Sequence, residues 1–73
     1  MITYYDQFLA VCSDFELPEA EVALLADRVN GACERLALSK LASHQELLRC
    51  AENEIRKFSP DMADFYRNYD TII

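Results

Sequence analysis

Residues 18–38 read PEAEVALLADRVNGACERLAL. At about 100° per residue, Val22, Leu25, Ala26, Val29, Ala32, Cys33 and Leu36 fall on one face of a helix. Pro18 suits the first helical position, where its missing N–H would be unpaired anyway. Glu19 and Glu21 then lie near the positive end of the helix dipole. Lys40 would land on the apolar face if the helix ran on, so the helix is expected to stop at about Leu38. Asn30-Gly31 is a turn signal inside this stretch. The apolar pattern runs through it unbroken, which favours one continuous helix over two short ones split at the dipeptide.

Three more helices follow on either side. Thr3 is an N-cap for a helix over 4–15, with Tyr4, Phe8, Val11, Cys12 and Phe15 inward and Asp6, Gln7, Ser13 and Asp14 outward. Ser43-His44-Gln45-Glu46 is a capping box opening a helix over 44–58, with core face Leu47, Leu48, Ala51, Ile55 and Phe58. Glu52 and Arg56 make an i,i+4 pair on its solvated side. Ser59-Pro60 starts a fourth helix over 60–71, with Met62, Phe65, Tyr66 and Tyr69 inward and Ile72 and Ile73 continuing the spacing. The expected fold is therefore all-α: a single small four-helix domain over residues 1–73. The unequal helix lengths suit an orthogonal or irregular bundle.

Composition narrows the function. One Gly and two Pro among 73 residues are too few for the many turns of a β fold, and 52% hydrophobic residues rule out a disordered tail. The longest apolar run, Val22–Ala26, is far short of a membrane span. The N-terminus lacks the basic start and apolar run of a signal peptide, so a cytoplasmic setting is expected. Charge is lopsided. Residues 1–27 hold Asp6, Asp14, Glu16, Glu19, Glu21 and Asp27 with no Lys or Arg, and residues 28–73 hold seven acids and seven bases. The net charge of −6 therefore originates in the first 27 residues. Such a surface repels nucleic acid and anionic lipid and attracts a basic protein surface.

Candidate chemistry is sparse. Cys12, Cys33, Cys50 and His44 contain a zinc-type ligand set, but their spacing matches no local zinc pattern and each cysteine lies near the apolar face of a different helix. Reduced core thiols are the better reading. The carboxylates lie on polar faces without the E-x-x-H of di-iron helical proteins. No cofactor, metal or enzymatic activity is expected.

One pattern stands apart. Leu24, Gly31 and Leu38 are spaced by seven, opposite Val22, Val29 and Leu36, and flanked by Asp27, Arg28, Glu34 and Arg35. A second apolar stripe implies either a helix buried on two sides or a contact with another molecule. A mid-helix Gly, which costs roughly 1 kcal/mol relative to Ala, implies a close backbone approach or a bend. Asp14, Glu16, Glu19, Glu21, Leu24, Asp27, Gly31 and Leu38 are the expected partner-binding residues. The expected function is a small acidic protein-binding module, a regulator or inhibitor that docks on a basic and apolar surface of another protein. The alternatives are a homo-oligomeric assembly protein, possible as a homodimer, and a nucleic-acid mimic that inhibits a DNA- or RNA-binding protein.

Overall fold

The computed structural model describes residues 3–69. Four helices follow in order: α1 (Tyr4–Asp14), α2 (Glu19–Ser39), α3 (His44–Phe58) and α4 (Pro60–Arg67). The fold is a small all-α four-helix domain, with no strand among the described residues. α4 ends at Arg67 with Asn68 as its C-cap, short of the expected end at 71, and residues 70–73, with the expected core places for Ile72 and Ile73, lie outside the described residues.

The helix ends follow local chemistry. Thr3 Oγ1 accepts from the Asp6 backbone N–H at 3.1 Å. At Ser43 both halves of the capping box form: its Oγ accepts from the Glu46 N–H, and its own N–H donates to Glu46 Oε1. Ser59 Oγ accepts from the Met62 N–H, with Pro60 in the first turn of α4. Pro18 is the N-cap of α2, extended at φ −61°, one residue earlier in the helix start than its sequence reading places it. Lys40 ends α2 as its C-cap.

α3 is the central helix. It packs against α2 on one side and α4 on the other, while α1 touches all three others more lightly. Its contact residues suit this role: Ala51 and Ile55 are fully buried, and Ala lets a neighbouring helix come close. Around them lie Phe8, Val11 and Cys12 from α1, Leu25, Ala26, Val29 and Cys33 from α2, and Met62, Ala63 and Tyr66 from α4. Burying side chains of this size contributes roughly 1.5–3 kcal/mol for each large one.

Hydrogen bonds lock α1 in place. Gln7 Nε2 donates to the Tyr66 carbonyl at 2.9 Å, and Tyr66 Oη–H donates to the Tyr4 carbonyl at 3.0 Å. Gln7 is buried, against its placement on the solvated face by periodicity. The Tyr66 carbonyl belongs to the last turn of α4, and the Gln7 bond ties that turn to α1. Phe15, by contrast, caps α1 as a partly exposed residue whose ring meets the edge of Phe65 at 5.5 Å.

α2 is continuous through Asn30-Gly31. Asn30 Oδ1 accepts from the Tyr4 hydroxyl at 3.0 Å, so its side chain is spent on α1 rather than on a turn. No close backbone explains Gly31: a Cβ there would meet only the tip of the Arg35 guanidinium, at 3.4 Å. Its φ is negative, as any residue allows. Gly31→Ala is therefore expected to stabilise the fold by about 1 kcal/mol, read as a higher midpoint in thermal or urea unfolding; a lower midpoint would mean that α2 needs glycine for the fold itself.

Candidate functional site

The outer face of α2 is uncovered. Leu24 is 67% exposed and Leu38 88% exposed. Among the described residues no second neighbour buries this stripe, so that alternative does not hold there. Just past the helix, Leu41 is fully exposed. Phe58, expected in the core, is 43% exposed at the end of α3. It shares a shallow cleft of about 130 Å³ with Leu24, Leu25, Glu21 and Arg28. The sequence hid this because Phe58 fits the apolar spacing of α3, and only the α2–α3 packing shows that the last turn overhangs the core.

The acidic residues lie on the α1–α2 connection and the first turn of α2. Asp14, Glu16, Glu19, Glu21 and Asp27 are all exposed. Glu16 has φ +54°, in the left-handed region. The Leu17 N–H donates to the Cys12 carbonyl and the Glu16 N–H to the Ser13 carbonyl, the paired bonds of a Schellman motif. Glycine is the usual residue at that position, and a side chain there costs about 1–2 kcal/mol. Leu17, half-buried against the core, anchors the turn.

Electrostatics divide the molecule. Glu52 Oε2 accepts from Arg56 Nη2 at 2.8 Å and from Arg67 Nη2 at 2.8 Å, tying α3 to α4. Asp64 takes a further bond from Arg56, Lys57 pairs with Glu54, and Lys40 pairs with Glu46. The Glu52 side chain is more enclosed than a routine i,i+4 pair on a solvated face. Among the described residues, Asp14, Glu16, Glu19, Glu21, Asp27 and Glu34 make no ion pair, nor do Arg28 and Arg35. The bases of the C-terminal half are mostly neutralised locally, and the negative excess of α1 and early α2 is not.

The remaining chemistry is muted. Burial pushes the Cys12 thiol up to about 11. Burial, and then the neighbouring Cys50, push Cys33 up to about 12. Nucleophilic cysteines need the opposite shift. No three His, Cys, Asp or Glu among the described residues are grouped to hold a metal ion, and no helix there is long and apolar enough to cross a membrane. A second, polar cleft of about 420 Å³ lies between α1, α3 and α4, lined by Gln7, Gln45, Arg49, Asn53 and the Glu52–Arg67 pair among others. In comparisons with family models, curated proteins and solved structures, none matches this chain.

Two outcomes follow. A thiol-alkylating reagent at pH 7.5 should modify the half-buried Cys50 in the native protein and all three cysteines only after unfolding; mass spectrometry showing native Cys12 or Cys33 modified would contradict this packing. The bonds from Arg67, and then Arg56, hold the Glu52 carboxyl below its usual range. Its stabilisation is present above the unfolded value of about 4.3 and is lost as pH falls through the lower folded value. Glu52→Gln should cost about 1 kcal/mol at pH 7, discounted for the exposed guanidiniums, and the difference from the parent should vanish in acid. Unfolding curves at pH 7 and pH 3 measure it.

Proposed function

We propose that this chain is a small non-enzymatic protein-binding module, a regulator or inhibitor that docks on a partner with a basic and apolar surface. The observation that carries the reading is the exposure of Leu24 and Leu38 on α2, together with carboxylates of the α1–α2 connection and early α2 that make no ion pair among the described residues. Leu24, Gly31 and Leu38 supply apolar anchoring. Asp14, Glu16, Glu19, Glu21 and Asp27 supply attraction during encounter, where complementary charge acts mainly on association rate and specificity. Its action is occlusion of the surface it covers. The three free thiols suit a reducing compartment such as the cytoplasm.

The backbone at Glu16 supports the same reading. A left-handed glutamate is a local cost to the fold, and such outliers motivate a functional hypothesis. The nucleic-acid mimic is the weaker reading, because the unpaired Arg28 and Arg35 interrupt the negative charge of the α2 face.

Binding partners recovered from the native host can be ranked against variants of known fold. Lysine at Glu16, Glu19 and Glu21 together should slow association by about tenfold at low salt and flatten its salt dependence. Leu38→Asp should mainly speed dissociation. Glu16→Gly separates the two roles: it should stabilise the fold by about 1 kcal/mol while weakening the partner. A partner whose binding survives both the lysine set and Leu38→Asp would remove this reading.

A further inference from the structure

We infer that the polar cleft between α1, α3 and α4 is a second binding site, one that takes the C-terminal end of a peptide chain by its carboxylate and its last backbone N–H. No residue of α2 lines it, so the inference goes beyond the docking face proposed above.

The cleft holds a hydrogen-bond acceptor with nothing to accept. Gln7 is only 3% exposed. Its Nε2 is committed to the Tyr66 carbonyl, and its Oε1 accepts from no donor among the described residues. No fully enclosed side-chain oxygen or nitrogen there lacks a partner. The Gln7 oxygen is therefore reached from outside, and the cleft is the opening that Gln7 lines. A buried amide is costly to leave half-satisfied. The bond from Nε2 explains why a polar residue stands at position 7. Oε1 is left for a donor on another molecule.

α3 supplies the wall. Gln45, Arg49 and Asn53 lie at i, i+4 and i+8 on one helix face, a row about 12 Å long. Their side chains make no hydrogen bond or ion pair among the described residues. Arg49 stays free because its neighbouring acids are taken. Glu52 is held by Arg56 and Arg67, and Glu46 by Lys40. Arg67 is itself occupied, with both Nε and Nη2 on Glu52. The cleft therefore offers one unpaired positive charge between two free amides, a deeper acceptor, and half-buried Leu48 as an apolar rest.

These groups select the ligand. One free guanidinium in a chain of net charge −6 suits a singly charged carboxylate, which Arg meets with two parallel bonds. A phosphate, with more charge, is repelled by the rest of the molecule. The Gln7 oxygen requires an N–H or O–H close to that carboxylate, and a simple acid anion has none. A peptide end has both, since its last N–H stands one residue's backbone from its carboxylate. The free amides of Gln45 and Asn53 can each donate to and accept from the preceding peptide units. Three extended residues span about 10 Å, within the length of the α3 wall. The volume of about 420 Å³ lies in the range of about 300–1,000 Å³ usual for small-ligand sites.

The test is a titration of acetyl-Ala-Ala-Leu into the isotope-labelled full chain, followed by nuclear magnetic resonance. Signals of Gln45, Arg49 and Asn53 and of the Gln7 side-chain amide should shift together, with a Kd on the order of 100 µM. The same peptide ending in a carboxamide should bind at least about tenfold more weakly, and so should the free acid to Arg49→Ala. Arg49 is exposed and unpaired, so that variant should keep the parent's thermal midpoint, which separates lost binding from lost fold. Methylating the last peptide nitrogen removes the donor to Gln7 and should weaken binding about fivefold. Absence of shifts at about 10 mM peptide would overturn the site, as would equal binding of acid and carboxamide or indifference to the methyl group. Acetate or inorganic phosphate binding as tightly as the peptide would overturn the peptide end as its occupant. Leu38→Asp should bind the peptide like the parent, so the cleft and the α2 docking face stand or fall separately.

Discussion

The reciprocal bonds between α1 and α4 decide which surfaces this chain has left to offer. Gln7 is buried, and an unpaired buried amide costs about 1–3 kcal/mol. Its Nε2 finds the Tyr66 carbonyl, while the Tyr66 hydroxyl returns a bond to the Tyr4 carbonyl. Together these fix the first helix on the last one across 59 and 62 residues of sequence. A single helix can cover only so much. With α1 seated against α4 and α3, the cover on α2 comes mainly from α3, helped at one edge by the Tyr4–Asn30 bond. The outer face of the longest helix is the consequence.

Charge is partitioned along the same line. The α3–α4 side carries its acids and bases within reach of one another, and Glu52 gathers two arginines. Those pairs hold the helices in register and also cancel their own fields. The α1–α2 corner has no such compensation among the described residues. Its carboxylates project into solvent, where they cost the fold little because each is well hydrated. A field of that kind is felt by whatever approaches.

Much of this was legible in the sequence, for a definite reason. Capping chemistry and apolar period are local, and they place Ser43, Ser59, the first three helices and the start of the fourth to within about a residue, while α4 ends earlier than its apolar spacing implies. Leu24 and Leu38 were also legible as a stripe out of phase with the core, but that no second neighbour among the described residues covers it became clear only from the packing. What escaped was set by partners distant in sequence. Gln7 looks like a surface residue until Tyr66 is placed beside it. Phe58 looks like core until α2 is seen to leave the last turn of α3 overhanging. The Tyr4 hydroxyl that Asn30 meets is 26 residues away, although the continuity of α2 through Asn30-Gly31 was itself legible in the unbroken apolar pattern. Leu41 lies in a connection, where periodicity says nothing.

Two positions remain at which local physics would choose differently. An alanine at Gly31 would suit the helix better, and a glycine at Glu16 would suit the left-handed turn better. Each departure costs on the order of 1 kcal/mol, which is a large share of the margin of so small a domain. Among the described residues no close backbone calls for glycine at 31, and the Glu16 side chain makes no ion pair, the turn there being held by backbone bonds and Leu17. Sequences that otherwise agree with their fold at every level tend to break local rules where something outside the fold is being served. One departure lies at the centre of the α2 face that carries the exposed leucines, the other in the α1–α2 connection that carries exposed carboxylates. Under the proposed docking function a partner contact would give both a reason that local packing does not.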